Sequence, residues 1–145
     1  MPAVKRTKLM EVIWRIHPWL YRVSGGRIGG TIMKLPVLLL TTTGRKTGEP
    51  RTCALMYLPH GDACVVIASY AGEPRHPSWW LNLRANPSAT IQRRNQVTRV
   101  VAREAQDDER QRLWDAVVER ESGYAVYAQR TTRRIPVVVL EPRSG

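Results

Sequence analysis

Apolar residues recur along this chain with two different periods. Leu9, Val12, Ile13, Ile16, Trp19 and Leu20 fall within residues 7–21 at the three-and-four spacing of an amphipathic helix. From residue 35 onward the apolar runs shorten and become β-branched, and residues 35–43, 52–58, 63–69, 89–94, 96–104 and 135–140 read as strands. Turn residues punctuate them: Gly44 to Gly48, then Pro59-His60-Gly61-Asp62, then Asn95. Residues 77–85 read as a short helix with Pro77 at its first position, stopped by Asn86-Pro87. Residues 107–121 read as a longer helix opened by Asp107 and Asp108, with Leu113, Trp114, Val117 and Val118 along one face. Strand follows strand without a helix between each pair. The pattern therefore predicts a mainly β, α+β fold: an antiparallel sheet or barrel with peripheral helices, not a doubly wound parallel sheet. Residues 24–30 are Gly-rich and follow no strand, which excludes a dinucleotide-binding fingerprint. They divide an N-terminal helical segment and linker, residues 1–30, from a strand-rich domain at residues 31–145.

The chain has 145 residues, enough for one domain with a core of its own. Its 23 Lys+Arg against 12 Asp+Glu leave a formal charge of +11. Such an excess suits nucleic acid, an anionic membrane surface or a polyanionic small molecule. Arg93, Arg94, Arg99 and Arg103 share one predicted hairpin with no aromatic residue among them, which argues against a specific nucleic-acid groove. Cys53 and Cys64 lack metal-ligand spacing and read as small buried apolar side chains. His17, His60 and His76 are scattered, so no metal site is expected. No apolar run reaches transmembrane length, and the basic N-terminus leads into an amphipathic stretch rather than a signal-peptide core. The reading is a cytoplasmic protein. Residues 7–21 either pack on the domain, the commoner use of such a helix, or lie on the inner face of the cell membrane as a peripheral contact.

Three segments could carry chemistry. Thr41 to Arg51, TTTGRKTGEPR, joins two strands through a loop bounded by Gly44 and Gly48 and carrying Arg45 and Lys46, a cationic tip suited to a phosphate or polycarboxylate. It lacks the spacing and the following helix of a phosphate loop of nucleotide triphosphatases. Ser69 to Leu83, SYAGEPRHPSWWLNL, brings Arg75 to a predicted helix start where free N–H groups attract anions, with Trp79 and Trp80 in the first turn. One of those indoles could flank a flat ring while the other packs in the core. Tyr124 and Tyr127 share a helix face by their spacing and could donate hydrogen bonds to a substrate oxygen. No carboxylate pair and no Ser/His/Asp set announces itself, so a bound cofactor is the expected source of any reactivity.

In this order, LLLTTTGRKTGEPR, ASYAGEPRHPSWWLNLRANP and IPVVVLEP resemble the deazaflavin-dependent nitroreductase family, which uses coenzyme F420. The resemblance implies a split β-barrel of the FMN-binding kind. It also implies that Gly44, Arg45, Lys46 and Thr47, helped by Arg51, hold the phosphate and acidic tail of the cofactor. Ser69, Tyr70, Ala71 and Gly72, with Pro77, Ser78, Trp79 and Trp80, would line the deazaflavin and its ribityl chain. Tyr124 and Tyr127 would face the substrate as the catalytic candidates. The implied activity is hydride transfer from reduced F420 to a quinone-like or nitroaromatic acceptor. The alternatives are an FMN-dependent reductase on the same barrel and a non-catalytic deazaflavin-binding protein. Met56, Tyr70 and Arg130 depart from residues found in some relatives, all near the substrate side. A homodimer is compatible with the apolar surface a half-open barrel leaves.

Overall fold

The computed structural model describes residues 35–143, and the expected helix over residues 7–21 and its linker lie outside them. Strands β1 (Val37–Thr43), β2 (Pro50–Met56), β3 (Leu58–His60), β4 (Ala63–Ile67), β5 (Ser88–Arg93), β6 (Gln96–Glu104) and β7 (Val137–Pro142) form one sheet, ordered β2-β1-β5-β6-β7-β4-β3. Every pairing is antiparallel. β2 and β3 stand at opposite edges of that order, yet only Tyr57 separates them in the chain. They are two halves of one bent strand, so the sheet curls round and its edges meet at the bend. This is the split barrel, and closure leaves few unpaired strand edges.

Alternation along the strands sorts the side chains between two cores. Leu38 and Leu40 of β1, Cys64 and Val66 of β4, Ile91 of β5, Val100 of β6, and Val138 and Leu140 of β7 fill the interior. Val65 and Ile67 of β4 and Val137 and Val139 of β7 point outward into a second core. Helix α2 (Asp107–Arg120) covers that outer core with Leu113 and Val117, one turn apart, and α3 (Gly123–Arg130) adds Tyr124. β4 and β7 are thus buried on both faces, which is why ACVVI and VVVL are unbroken apolar runs. Helix α1 (Ser78–Ala85) contributes Trp79, Trp80 and Leu83 to the interior, lying over the end of the barrel where β1 finishes.

The mainly β, antiparallel fold expected from the pattern is observed, as the split barrel that the resemblance implies. Three local expectations are corrected. Pro59 and His60, expected in a turn, form β3, and the turn is tighter, at Gly61 (φ +60°) and Asp62. The third strand ends at Ile67, leaving Ser69 in the following loop. Pro77 is the residue before α1 rather than its first helical one. Both cysteines are free thiols, and burial pushes each above its ordinary range. Arg103 of the basic hairpin is paired with Glu109 and Glu141, so part of its charge is neutralised.

Candidate functional site

The cationic loop after β1 is folded by its own backbone. Gly44 N–H donates to Glu49 C=O (2.8 Å) and Gly48 N–H to Gly44 C=O (2.7 Å), with Gly48 at φ +76°. A Cβ on Gly44 would sit 3.0 Å from the Glu49 carbonyl oxygen, so only glycine fits without displacement. Thr47 Oγ1 accepts from Glu49 N–H (3.2 Å) and from Arg51 Nη2 (3.4 Å), which turns Arg51 toward the loop. Lys46 is exposed and has no partner among the described residues.

A long-range polar anchor fixes this loop to helix α1. Asn82 Oδ1 accepts from Arg45 N–H (3.1 Å) and from Arg45 Nη1 (2.9 Å), while Asn82 Nδ2 donates to Thr42 Oγ1 (3.1 Å). Asn82 is 3% exposed and Thr42 2% exposed, so the amide sits in the barrel mouth and carries Arg45 above it. At the other end of α1, Trp80 and Leu81 N–H groups turn back to Pro77 C=O, and no side chain caps the helix. Ser78 and Trp79 N–H groups have no acceptor among the described residues. The positive dipole end therefore stays available to an anion. Eight residues at helical rise place the two ends about 12 Å apart.

Between β4 and α1 lies a turn in unusual backbone geometry. Tyr70 (φ 45°), Ala71 (φ 54°) and Gly72 (φ 79°) are consecutive and left-handed. The two non-glycine residues cost about 1–2 kcal/mol each in that region, and such strain persists only where neighbours enforce it. Gly72 lies against α3 so closely that a Cβ there would be 2.9 Å from both Arg130 Cβ and the Tyr127 carbonyl oxygen. Arg75 stacks over the Tyr70 ring at 5.7 Å. Arg133 reaches across from the segment after α3 and donates to Ser69 C=O, Glu73 C=O and His76 Nδ1. Desolvation, then Arg133 and Arg84, hold the His76 pKa below its ordinary value, with Glu104 opposing; because a guanidinium only donates, Nδ1 is the acceptor in this bond.

Tyr124 and Tyr127 meet edge to face, 6.0 Å between centroids at 85°. Their environments differ. Tyr124 is 7% exposed in the outer core, where burial pushes its phenol up. Tyr127 is half-buried beneath the Arg130 guanidinium at 5.9 Å. Trp79 and Trp80 are both buried in the interior, at 9% and 6% exposure, so the core packing expected of one indole holds for both.

The structure thus joins two sets of the expected residues through α1: the Gly44–Arg51 loop at its second turn and the Ser69–Gly72 turn before its start. It adds Thr42, Asn82, His76 and Arg133, none of which had an assigned role in the site from sequence. Asn82 did leave a trace, being a polar residue three after Trp79 and one before Leu83, on the apolar side of a short helix. No group of three or more His, Cys, Asp or Glu capable of holding a metal occurs among the described residues.

Comparison with known proteins gives consistent matches. The family model of F420H(2)-dependent quinone reductases matches residues 13–142. An F420H(2)-dependent quinone reductase of Mycobacterium tuberculosis is 45% identical over 133 residues, 89% of each chain. Among solved structures, an F420-H2 dependent reductase superposes with a TM-score of 0.68 at 39% identity, covering 73% of this chain and 94% of its own. A protein solved as a domain-swapped dimer superposes at 0.70 with 34% identity, covering 88% of this chain and 97% of its own.

Proposed function

The chain belongs to the F420H2-dependent quinone reductase family, and on that premise we propose that it reduces a quinone, with nitroaromatics as adventitious acceptors, at the site built around helix α1. When bound in its reduced form, coenzyme F420 supplies the hydride. The protein's own tasks are to hold an anionic tail, orient a flat ring, exclude water and assist at the acceptor oxygen.

The donor set fits that cofactor. Lys46 and Arg51 are exposed cations beside backbone N–H groups, and Arg45 keeps part of its guanidinium free while its Nη1 is tied to Asn82. Together they would take phosphate and carboxylate oxygens through charge-assisted hydrogen bonds. The unpaired N–H groups of Ser78 and Trp79 would serve a further anionic or polar group. Ser69, Tyr70, Ala71 and Gly72 would border the ring, with Pro77 behind them. The buried Trp79 and Trp80 act from below by holding α1 in place. Of the two tyrosines, half-buried Tyr127 is the better donor to the acceptor oxygen as charge develops there; buried Tyr124 orients it edge-on. Quinone reduction takes up a hydride and a proton, and a hydrogen-bonded phenol next to water can relay the latter. For a lipid-borne quinone, the basic amphipathic stretch at residues 7–21 would bring the barrel to the membrane surface. No described helix is long and apolar enough to cross a membrane.

The observation that carries this reading is the Asn82 anchor, which makes one site of two separated motifs. Titration of the apoprotein with F420 and, separately, FMN, followed by fluorescence, tests it. Tight F420 binding is expected, weakened about 100-fold or more in the Arg45→Ala/Lys46→Ala double variant, since each charge-assisted bond contributes about 1.5–3 kcal/mol. Both side chains are exposed and only the Arg45 Nη1 bond to Asn82 is lost, so the variant should melt within about 2 °C of the wild type. Unchanged affinity would remove the loop from the site.

A further inference from the structure

We propose that Arg133 is a positioning residue for the deazaflavin site, clamping the left-handed turn Tyr70–Gly72 by its two flanks and by His76. The inference rests on the reading of that turn as the border of the cofactor ring. One guanidinium serves three acceptors: Nη2 to Ser69 C=O (2.7 Å), Nε to Glu73 C=O (2.9 Å) and Nη1 to His76 Nδ1 (3.2 Å). The two carbonyls bracket the three left-handed residues. Two short backbone bonds close the turn, Gly72 N–H to Ser69 C=O and Glu73 N–H to Tyr70 C=O. Ser69 C=O therefore accepts both from the turn and from the clamp. Within hydrogen-bond reach the fork meets no carboxylate among the described residues, so its geometry is spent on backbone rather than on ion pairing. A guanidinium is suited to this, because its planar donors leave in fixed divergent directions that an ammonium cannot reproduce.

His76 makes the third arm and precedes Pro77, the residue before α1. The clamp thus ties the end of β4, the turn and the entry to α1 into one unit from a segment 64 residues away in sequence from Ser69. Without it, the turn would sample the ordinary right-handed and extended regions that Tyr70 and Ala71 prefer. A site in which the competent turn is present about a tenth of the time binds its ligand about tenfold more weakly.

Arg133→Lys and Arg133→Gln, in the full chain, test this with two measurements. The first is amide hydrogen exchange at Gly72 and Glu73 in the cofactor-free protein. The second is F420 affinity by fluorescence titration. Both variants are expected to exchange faster at those amides than wild type while the strands β4 and β7 keep their protection, and both should bind F420 about tenfold more weakly. Equal loss in the lysine variant separates positioning from charge. If Arg133→Lys binds like wild type and only Arg133→Gln is weakened, Arg133 acts by attraction to the anion and the clamp is wrong. Unchanged exchange in both variants also overturns it. Should neither variant fold, His76→Leu, which removes one arm and leaves the two carbonyl bonds, must speed exchange at the same amides for the clamp to stand. A wild-type protein that fails to bind F420 would refute the cofactor reading, while the exchange measurement would still decide the clamp.

Discussion

Replacing Asn82 by Ala is the sharpest perturbation of the site that leaves its charges in place. The change removes the acceptor for Arg45 N–H and Nη1 and the donor to Thr42 Oγ1. The Thr42 bond is buried, and its loss leaves a hydroxyl without a partner in the barrel mouth, costing about 1–2 kcal/mol. The backbone bond to Arg45 adds about 1 kcal/mol. The guanidinium bond involves an exposed side chain and is discounted to about 0.5 kcal/mol. The sum is about 3 kcal/mol, and a chain of this size loses about 3 °C of melting temperature per kcal/mol, so the midpoint should fall by about 9 °C. F420 affinity should fall too, because the loop is then free of α1.

Asn82→Asp separates the two effects. Its carboxylate still accepts both Arg45 bonds, and the Thr42 hydroxyl can rotate to donate to it. Its stability should recover much of the loss. Its negative charge beneath the cationic loop should nevertheless weaken the cofactor, most at low salt. Differential scanning fluorimetry and fluorescence titration read both quantities. An Asn82→Ala protein melting within about 1 °C of wild type and binding F420 equally well would refute the anchor, since neither loss can be hidden at that resolution.

Other substitutions probe the rest of the site. Gly72→Ala must place a Cβ at φ +79° and 2.9 Å from Arg130 Cβ, so it should destabilise by about 2 kcal/mol or more, visible as a melting shift; a wild-type midpoint would contradict the close approach of α3. Tyr127→Phe should lower kcat about tenfold or more with F420 affinity retained, as expected on losing one donor at a developing oxyanion. Tyr124→Phe should act mainly on the melting temperature, and the reverse pattern would exchange the two roles. The depressed His76 pKa gives a pH dependence: the unfolded chain protonates this ring first, so its contribution is complete above the ordinary 6.5 and is lost as pH falls toward the lower folded value. Arg133, Arg84 and Glu104 are the charged groups that act on it. Melting curves and F420 titrations across about pH 5 to 7.5 should show this step in wild type and not in His76→Gln.

What could be read from the sequence was what local periodicity and turn chemistry encode. The strands, the Pro-initiated helix, the Asp-opened helix and the Gly-bounded cationic loop all announce themselves within windows of a few residues. The three-residue β3 did not, because Pro59 and His60 look like turn residues and only the bend at Tyr57 makes them a strand. The bonds that assemble the site were also silent. Arg45 and Asn82 are 37 residues apart, and Arg133 and Ser69 are 64 apart. A polar pair at that separation leaves no period for a sequence reading to detect. Trp79 and Trp80 were legible only in part: one indole was expected in the core, and both pack in the interior cluster.

The division of labour between apolar and polar contacts explains how a loop-built site is kept in register. Trp79, Trp80 and Leu83 seat α1 in the same interior cluster as β1, β4, β5, β6 and β7, so the helix moves only if the core does. Close-packed interiors resist such displacement, which makes α1 a rigid rail about 12 Å long. The cationic loop hangs from its second turn through Asn82, and the left-handed turn is held at its entry through His76 and Arg133. Loops joined to a rail by directional hydrogen bonds keep both position and orientation, which apolar contacts alone would leave adjustable. Each polar anchor holds a different loop. Loss of one therefore loosens its own loop while the barrel and the other anchor persist.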